Sequence, residues 1–567
     1  MLKLKRVLIL NPARQIIIRS ASTILVNLSY DSETHIFTSN LTVEVPDKTV
    51  SEFVWQDIAK WEHQPALTCG ITGKNYTYGQ VKGASAAFGI NLANDLNLKT
   101  GETVGIVLPN MPEFPATYFG LAAAGLVATT ANPIYTPTEL SHQFTDAKVR
   151  AVVTTPELLD KVKQALEMTS AGGGHVIVTG EGNAHDGCIS FENLIKKSTK
   201  GARIPERPDP DSIACLPYSS GTTGKPKGVM LTHRNLVTNL CQINHPEVFV
   251  NVSKPGKLQA KALSILPMFH IYGLNGVMNL ALYRGHHLIT LPRFEPQTFV
   301  ETIKKYNPNT VCMAPALIAF VSQTSDLTSE DLKGLQIAMN GSAAVPTSIA
   351  DQLNTKINNP EFILKTGYGL TETSCCASMT PTTLRPGKIA SCGMNIPLSE
   401  VKIADETGRA LAQGKTGELL FRGKNVMKGY LNNEKATRET ITEDGWLKTG
   451  DIAYVDDEGY IFVVGRMKEL IKVKGFQVSP TELEEQLVKI SGVLDAAVIG
   501  VADEKSGEVP KAFLVKKSDS SLSEQEVMDF LKDKVAPYKQ LKGGVQFVSV
   551  IPRNPSGKIL RNELKSL

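Results

Sequence analysis

From about residue 45 onward, short apolar runs alternate with helical stretches, and no other feature constrains the fold of this chain so strongly. Val104–Leu108 reads as a strand, followed by an Ala- and Gly-rich helix over Phe114–Leu126 behind a proline-flanked turn. Val149–Thr154 and His175–Thr179 read as strands on either side of the helical stretch Glu157–Met168. Such alternation builds βαβ units, hence a parallel sheet covered by helices. Residues 210–395 continue the pattern with Gly-rich turns. The fold class expected is α/β, with a large N-terminal domain of parallel, helix-flanked sheets over residues 41–467.

The end of the chain has a different texture. A strand-like run, Tyr460–Val464, gives way to the basic loop Gly465-Arg466-Met467-Lys468. Ser479-Pro480-Thr481-Glu482 reads as a capping box with proline at the first helical position, and Leu483, Leu487 and Ile490 follow at helical spacing. Val498–Val501 and Ala512–Val515 read as strands, and Ser523–Glu526 as a second capping box. A small α+β domain is expected over residues 468–567.

Composition narrows the function. With 42% apolar and 20% charged residues in 567, the chain has a globular balance and ample material for a large core. The net charge of +4 is carried by the start: Lys3, Lys5, Arg6, Arg14 and Arg19 precede any acid, and the remainder is near neutral. Nothing in the body argues for nucleic acid. The eight cysteines form no CxxC pair, which argues against zinc and fits free thiols in a reducing compartment. No uncharged apolar run reaches the roughly 18–20 residues that span a bilayer. The basic, Ser-containing, acid-free tail within residues 1–40 has the composition of a mitochondrial transit peptide, although Pro12 interrupts its helical pattern. Mitochondrial import is therefore expected, with cytoplasmic and peroxisomal locations as alternatives; the terminal Lys565-Ser566-Leu567 is not the Ser-Lys-Leu signal.

The segment Tyr218-Ser219-Ser220-Gly221-Thr222-Thr223-Gly224-Lys225-Pro226-Lys227-Gly228 carries the most chemistry. Its glycines let backbone approach a phosphate, while its hydroxyls and two ammonium groups suit phosphate oxygens. It is not a Walker A loop, because Pro226 stands where a Mg²⁺-binding Ser or Thr would follow Gly-Lys.

This segment resembles the phosphate-binding signature of adenylate-forming acyl-CoA synthetases, the group that includes 4-coumarate–CoA ligase, medium-chain acyl-CoA synthetases and firefly luciferase. Five further signatures follow in the family's order. They are Leu266-Pro267-Met268-Phe269-His270, Gly367-Tyr368-Gly369-Leu370-Thr371-Glu372-Thr373 and Trp446-Leu447-Lys448-Thr449-Gly450-Asp451. Gly465-Arg466-Met467-Lys468-Glu469-Leu470-Ile471-Lys472 and Pro552-Arg553-Asn554-Pro555-Ser556-Gly557-Lys558 complete the set, which spans about residues 45–567.

What the resemblance implies is specific. ATP and AMP would be held by Ser219, Ser220, Gly221, Thr222, Thr223, Gly224 and Lys227, with Thr366, Gly367 and Tyr368, the last stacking on adenine. Thr371 would bind the α-phosphate, Glu372 would help hold Mg²⁺, and Asp451, in a Gly turn near Arg466, would accept from the ribose hydroxyls. His270 would gate and orient the acid, and Lys558 would bridge its carboxylate and the α-phosphate. Lys468 would be the hinge and Gln477 a nucleotide contact while adenylate forms. Lys472 and Gly475 would belong to a thioester-forming face, with Arg293, Lys474 and Gly475 toward coenzyme A. Lysine rather than aspartate at the hinge places the chain nearer the 4-coumarate ligase and luciferase branch.

By the same resemblance Tyr272, Met339, Asn340, Gly341, Ser342 and Gly369 line the acyl pocket. No Arg or Lys occurs among them, so a second substrate charge is disfavoured and an apolar monocarboxylate is expected, either a fatty acid or an aryl-propenoic acid. The reading is thus an AMP-forming acid–CoA ligase using ATP, Mg²⁺ and coenzyme A, with no obligate protein partner. A carrier-loading adenylation enzyme and a luciferase-like monooxygenase are the alternatives.

Overall fold

The computed structural model describes residues 27–567 except 170–173, 181–186, 220–225, 250–258, 342–344, 383–387, 475, 519, 533 and 555–556. Two nine-stranded sheets dominate. In the first, Thr103–Val107 is central and pairs in parallel with Val127–Thr130 on one side and Val149–Thr154 on the other. His175–Val178 extends it in parallel, while Lys227–Thr232 turns antiparallel against Ile213–Cys215. In the second, Ile363–Tyr368, Ile337–Asn340, Thr310–Met313, Lys261–Ser264, His287–Thr290 and Pro65–Cys69 run parallel in that order, with short antiparallel strands at both edges.

The helices that cover these sheets follow local chemistry. The helix expected over Phe114–Leu126 runs Glu113–Ala123 and stops where Gly125 takes φ +71°. There the Leu126 amide donates to the Leu121 carbonyl at 2.9 Å and Gly125 to Ala122 at 3.4 Å, a Schellman ending that only a left-handed residue permits. This helix buries Phe114, Tyr118 and Phe119 completely, and each such side chain contributes about 1.5–3 kcal/mol. It crosses the helix Tyr78–Asp95 so closely that a Cβ on Gly89 would strike the Gly120 carbonyl. The stretch Glu157–Met168 divides into a 3₁₀ turn at Pro156–Leu158 and an α-helix over Leu159–Glu167.

A six-stranded antiparallel sheet joins the two large ones, and the alternating pattern did not announce it. It consists of Leu28–Asp31, Ile36–Ser39, Ser399–Ala404, Gly417–Gly423, Leu447–Val455 and Ile461–Arg466. Its first two strands correct the expected tail over residues 1–40. They form a hairpin whose Phe37 is buried and pairs with Val401, so the folded body reaches back to Leu28. The five basic residues of the tail lie outside the described residues.

Beyond Arg466 a separate five-stranded sheet forms from Ile471–Val473, Phe476–Val478, Val493–Asp503, Gly507–Lys516 and Val545–Phe547. It has its own core, in which Leu483, Leu487, Val498, Leu514 and Val527 are buried together. The second capping box is realised: the Ser523 amide donates to Glu526 at 2.8 Å, ahead of the helix Glu524–Lys532. The first is not. Ser479 sits at the N-cap of the helix Pro480–Leu487, but its hydroxyl donates to the Val464 carbonyl on the antiparallel sheet, and Glu482 accepts from Lys539 at 2.6 Å. The residue expected to cap a helix instead ties the two units together.

Candidate active site

The carboxyl ends of the parallel strands are where an open α/β sheet binds ligands. Strand Ile363–Tyr368 ends on Thr366, Gly367 and Tyr368, and strand Ile337–Asn340 ends immediately before Gly341. The Tyr368 hydroxyl donates to Asp451 at 2.7 Å, and Arg466 Nε makes an ion pair with the same carboxylate at 3.0 Å. Asp451 and Arg466 are directly paired across two strands of the antiparallel sheet. Asp451 is not in a turn, as its Gly-Asp context suggests. It lies inside Leu447–Val455 at a bulge against Gly417–Gly423, where Gly450 takes φ +70°. Burial pushes the Asp451 carboxyl above its usual range, while Arg466, Tyr368 and Lys558 oppose that shift.

Thr371 and Glu372 occupy a single 3₁₀ turn and are both buried. Glu372 Oε1 accepts from Ser219 at 2.9 Å and from Tyr430 at 2.9 Å. Tyr430 carries no motif and is 58 positions from its partner. Its strand Gly429–Tyr430 pairs with Lys227–Thr232, and Lys227 Nζ lies 4.9 Å from the centre of its ring. The structure therefore assembles Ser219, Lys227, Glu372 and Tyr430 into one polar cluster. Ser220, Gly221, Thr222, Thr223 and Gly224 lie outside the described residues.

Lys558 enters from the small unit. Its ammonium stands 3.8 Å from Glu469, which also accepts from Arg561 at 2.8 Å. Burial and the neighbouring Arg466 lower its pKa. Gly557 before it takes φ +86°, and a Cβ there would come within 2.7 Å of Ala314 on the large unit. Lys472, Lys474 and Gln477 belong elsewhere: all three are exposed on the hairpin Ile471–Val473/Phe476–Val478, with Lys472 directly opposite Gln477. Gln477 is thus grouped with Lys472 and not with the residues around Asp451. Gly475 at that hairpin lies outside the described residues, Lys468 is exposed, and Arg293 is exposed in an ion pair with Glu295.

The acid side of the site is framed by His270 and Tyr272. His270 opens a turn into a π-helix, Tyr272–Asn279, a rare geometry that often marks functional sites. Its Nδ1 accepts from the Tyr272 amide at 3.3 Å, and burial lowers its pKa to about 4, so the ring is neutral near pH 7. The Tyr272 hydroxyl donates to the Met339 carbonyl at 3.3 Å. A Cβ on Gly341 would lie 2.5 Å from the Tyr272 ring and one on Gly276 3.0 Å from its other edge. Gly369 is held differently, since a Cβ there would strike the Cys375 carbonyl oxygen. Asn340 is buried at its strand end, and Ser342 lies outside the described residues.

A polar cluster at the carboxyl ends of parallel strands, joined by Lys558 from the small unit, is the arrangement to set against known proteins. Residues 54–431 match the AMP-binding enzyme family model, and residues 482–558 match the AMP-binding enzyme C-terminal domain. The chain is 38% identical to 4-coumarate–CoA ligase 3 of Oryza sativa subsp. japonica, covering 94% of this chain and 95% of that protein. It is 36% identical to 4-coumarate–CoA ligase 1 of Arabidopsis thaliana over the same shares. Among solved structures it resembles ATP-bound MatB from Rhodopseudomonas palustris, with TM-score 0.81, 26% identity and coverage of 92% of this chain and 99% of that one. It also resembles o-succinylbenzoate CoA synthetase of Bacillus subtilis bound to its acyl-adenylate, with TM-score 0.75, 26% identity and coverage of 93% and 99%. The chain belongs to the AMP-binding enzyme family. It is an adenylate-forming acid–CoA ligase, acting on a small carboxylic acid, ATP and coenzyme A. Among the described residues no helix is long and apolar enough to cross a membrane.

Proposed function

We propose that this ligase activates a carboxylic acid with a predominantly apolar body, alkyl or aryl-propenoic, and that the residues described above divide the work as follows. A carboxylate oxygen of the acid attacks the α-phosphorus of ATP, the bond to the β-phosphate oxygen breaks, and pyrophosphate leaves. The sulfur of coenzyme A then attacks the acyl carbon, the bond to the phosphate oxygen breaks with its electron pair going to AMP, and the thiol proton is lost. Tyr368 and Asp451 hold adenosine, and Thr371 and Lys227 the phosphates. Neutral His270 orients the acid without adding charge, which leaves Lys558 to supply the cation where negative charge spreads over the phosphoryl oxygens. The observation that carries this reading is the convergence of Lys558, Arg466, Asp451 and Tyr368 from two units onto one cluster.

The donor set fits Mg²⁺. Glu372 offers a hard oxygen ligand whose Oε2 accepts no hydrogen bond from a described residue, and Mg²⁺ needs only one or two carboxylates beside the phosphates of its nucleotide. When bound, it would neutralise developing phosphate charge. For the second step, residues 468–567 turn about Lys468 and present the Lys472–Gly475 hairpin in place of Lys558, with Arg293 and Lys474 toward coenzyme A. The basic residues before Asp31, with no acid among them, support mitochondrial import. A reporter fused behind residues 1–27 and remaining diffuse in the cytosol would remove that part.

The test of the main reading is a panel of fatty, aryl-propenoic and dicarboxylic acids assayed for ATP-dependent pyrophosphate release. Turnover of at least one acid with stoichiometric thioester formation from coenzyme A supports it. Pyrophosphate release from no acid overturns it.

A further inference from the structure

Between the second large sheet and the helix Leu280–Tyr283 lies a small cavity of about 20 Å³, room for one or two water-sized groups. Most of its wall is apolar, as Val277, Leu280 and Met339 illustrate. The rest is not. Arg284, His286 and Thr310 line it, each more than nine-tenths buried. Arg284 Nη1, His286 Nε2 and Thr310 Oγ1 have no hydrogen-bond partner among the described residues. The guanidinium is held in place from two other sides: its Nε donates to Asn244 at 2.7 Å, and the centre of the Phe249 ring lies 4.3 Å away.

The charge in this layer has no counterpart. Burial lowers Arg284 to about 10, which leaves it charged near pH 7. Lys365 stands in register with Met339 on the neighbouring strand, so both side chains leave the same face of the sheet. Its ammonium is fully buried and has no hydrogen-bond partner among the described residues. The ionisable groups that act on Arg284 and Lys365 are Tyr283, Cys376 and, for Lys365, Arg284 itself, with no carboxylate among them. The segment 250–258, which follows Phe249 in the chain, contains no Asp or Glu. A buried cation without an opposite charge is costly. A water molecule would satisfy the hydrogen bonds and leave that charge uncompensated.

We infer that this cavity binds a small monovalent anion of the halide class, chloride in the cell, held by Arg284, His286 and Thr310. Each offers a donor: a guanidinium N–H, the Nε2–H of an imidazole that burial keeps neutral, and a hydroxyl free to rotate. Volume sets the class, because a halide is little larger than a water molecule, whereas phosphate and sulfate need far more room. The site lies apart from the adenylation chemistry. Its ligand neutralises charge between a sheet and the helix packed on it, so binding stabilises the fold.

Crystals grown in sodium bromide and measured at the bromine absorption edge test the assignment. An anomalous peak in the cavity, against Arg284 and Thr310, is expected. No peak there, whether the cavity is dry or holds a water, would overturn the inference. Melting temperatures at constant ionic strength, with chloride replacing gluconate, an anion too large for the cavity, extend the test to solution. The melting temperature should rise by several degrees and level off as the site fills. Arg284→Met removes the charge and should abolish the chloride dependence. Thr310→Val keeps the shape, loses one donor and should raise the half-saturating chloride concentration about three- to tenfold; it also serves if Arg284→Met yields no folded protein. A rise that never levels off, or one unchanged in every variant that folds, would equally overturn the inference, the bromide then being bound at crystal concentration only.

Discussion

The Tyr368 hydroxyl donates to Asp451 across 2.7 Å, joining the end of a parallel strand to a bulge in the antiparallel sheet. Arg466 holds the same carboxylate from the strand beyond. Hydrogen bonds to charged groups are worth about 1.5–3 kcal/mol, roughly a tenfold to hundredfold effect on binding. Asp451→Asn should therefore raise KM for ATP by about that factor, whereas Tyr368→Phe, which leaves Arg466 in place, should raise it less. Initial-rate measurements over a range of ATP concentrations decide; equal effects would mean that the tyrosine does more than orient the carboxylate.

Acid should destabilise the fold through its buried and half-buried histidines. Burial lowers His233, His270 and His287 to about 4 and His286 to about 3. In the unfolded chain each titrates near 6.5. Between those values the unfolded chain holds more protons, so stability rises with pH in that window and is lost as pH falls from 6.5 toward 4, by up to about 1.4 kcal/mol per pH unit for the fully buried His233 and His286 and by less for the more exposed His287. Urea midpoints measured from pH 7 to pH 4.5 should fall accordingly. His233→Gln, which keeps an acceptor for the Val50 amide, should flatten the slope by about one proton.

Two pocket glycines should respond in opposite ways. Gly369→Ala drives a Cβ into the Cys375 carbonyl, which is backbone and cannot swing aside. The expected outcome is a loss of several degrees in melting temperature or insoluble protein. The nearest neighbour of a Cβ in Gly341→Ala is the Tyr272 ring, at 2.5 Å, a side chain held by one hydroxyl hydrogen bond and better able to shift than backbone. It should change which acids are accepted while moving the melting temperature little. Thermal melts beside a substrate panel separate the two.

Legibility of this molecule from its sequence follows the range of the interactions. The parallel strands were readable because their apolar runs are local and continuous, as at Val149–Thr154. The antiparallel sheet was not, since strands such as Ser399–Ala404 and Leu28–Asp31 acquire their partners only through distant pairings. Motifs located Glu372, Asp451 and Lys558, but nothing local marks Tyr430, which meets Glu372 only once its strand pairs with Lys227–Thr232. Ser479 shows the opposite failure: a capping sequence whose hydroxyl donates to the Val464 carbonyl across the unit boundary and accepts from no helix amide.

The account turns on one small domain serving two steps. Lys558 stands 3.8 Å from Glu469 beside the Asp451–Arg466 pair, while Lys472 is exposed on a separate hairpin. Single-turnover assays measure the halves apart, with pyrophosphate release for adenylation and coenzyme A consumption from preformed acyl-adenylate for thioester formation. Lys558→Ala should slow the first by roughly 10²–10³, the usual effect of removing one preorganised donor, and spare the second. Lys472→Ala should do the reverse. Loss of the same half-reaction in both variants would contradict the rotating-domain account.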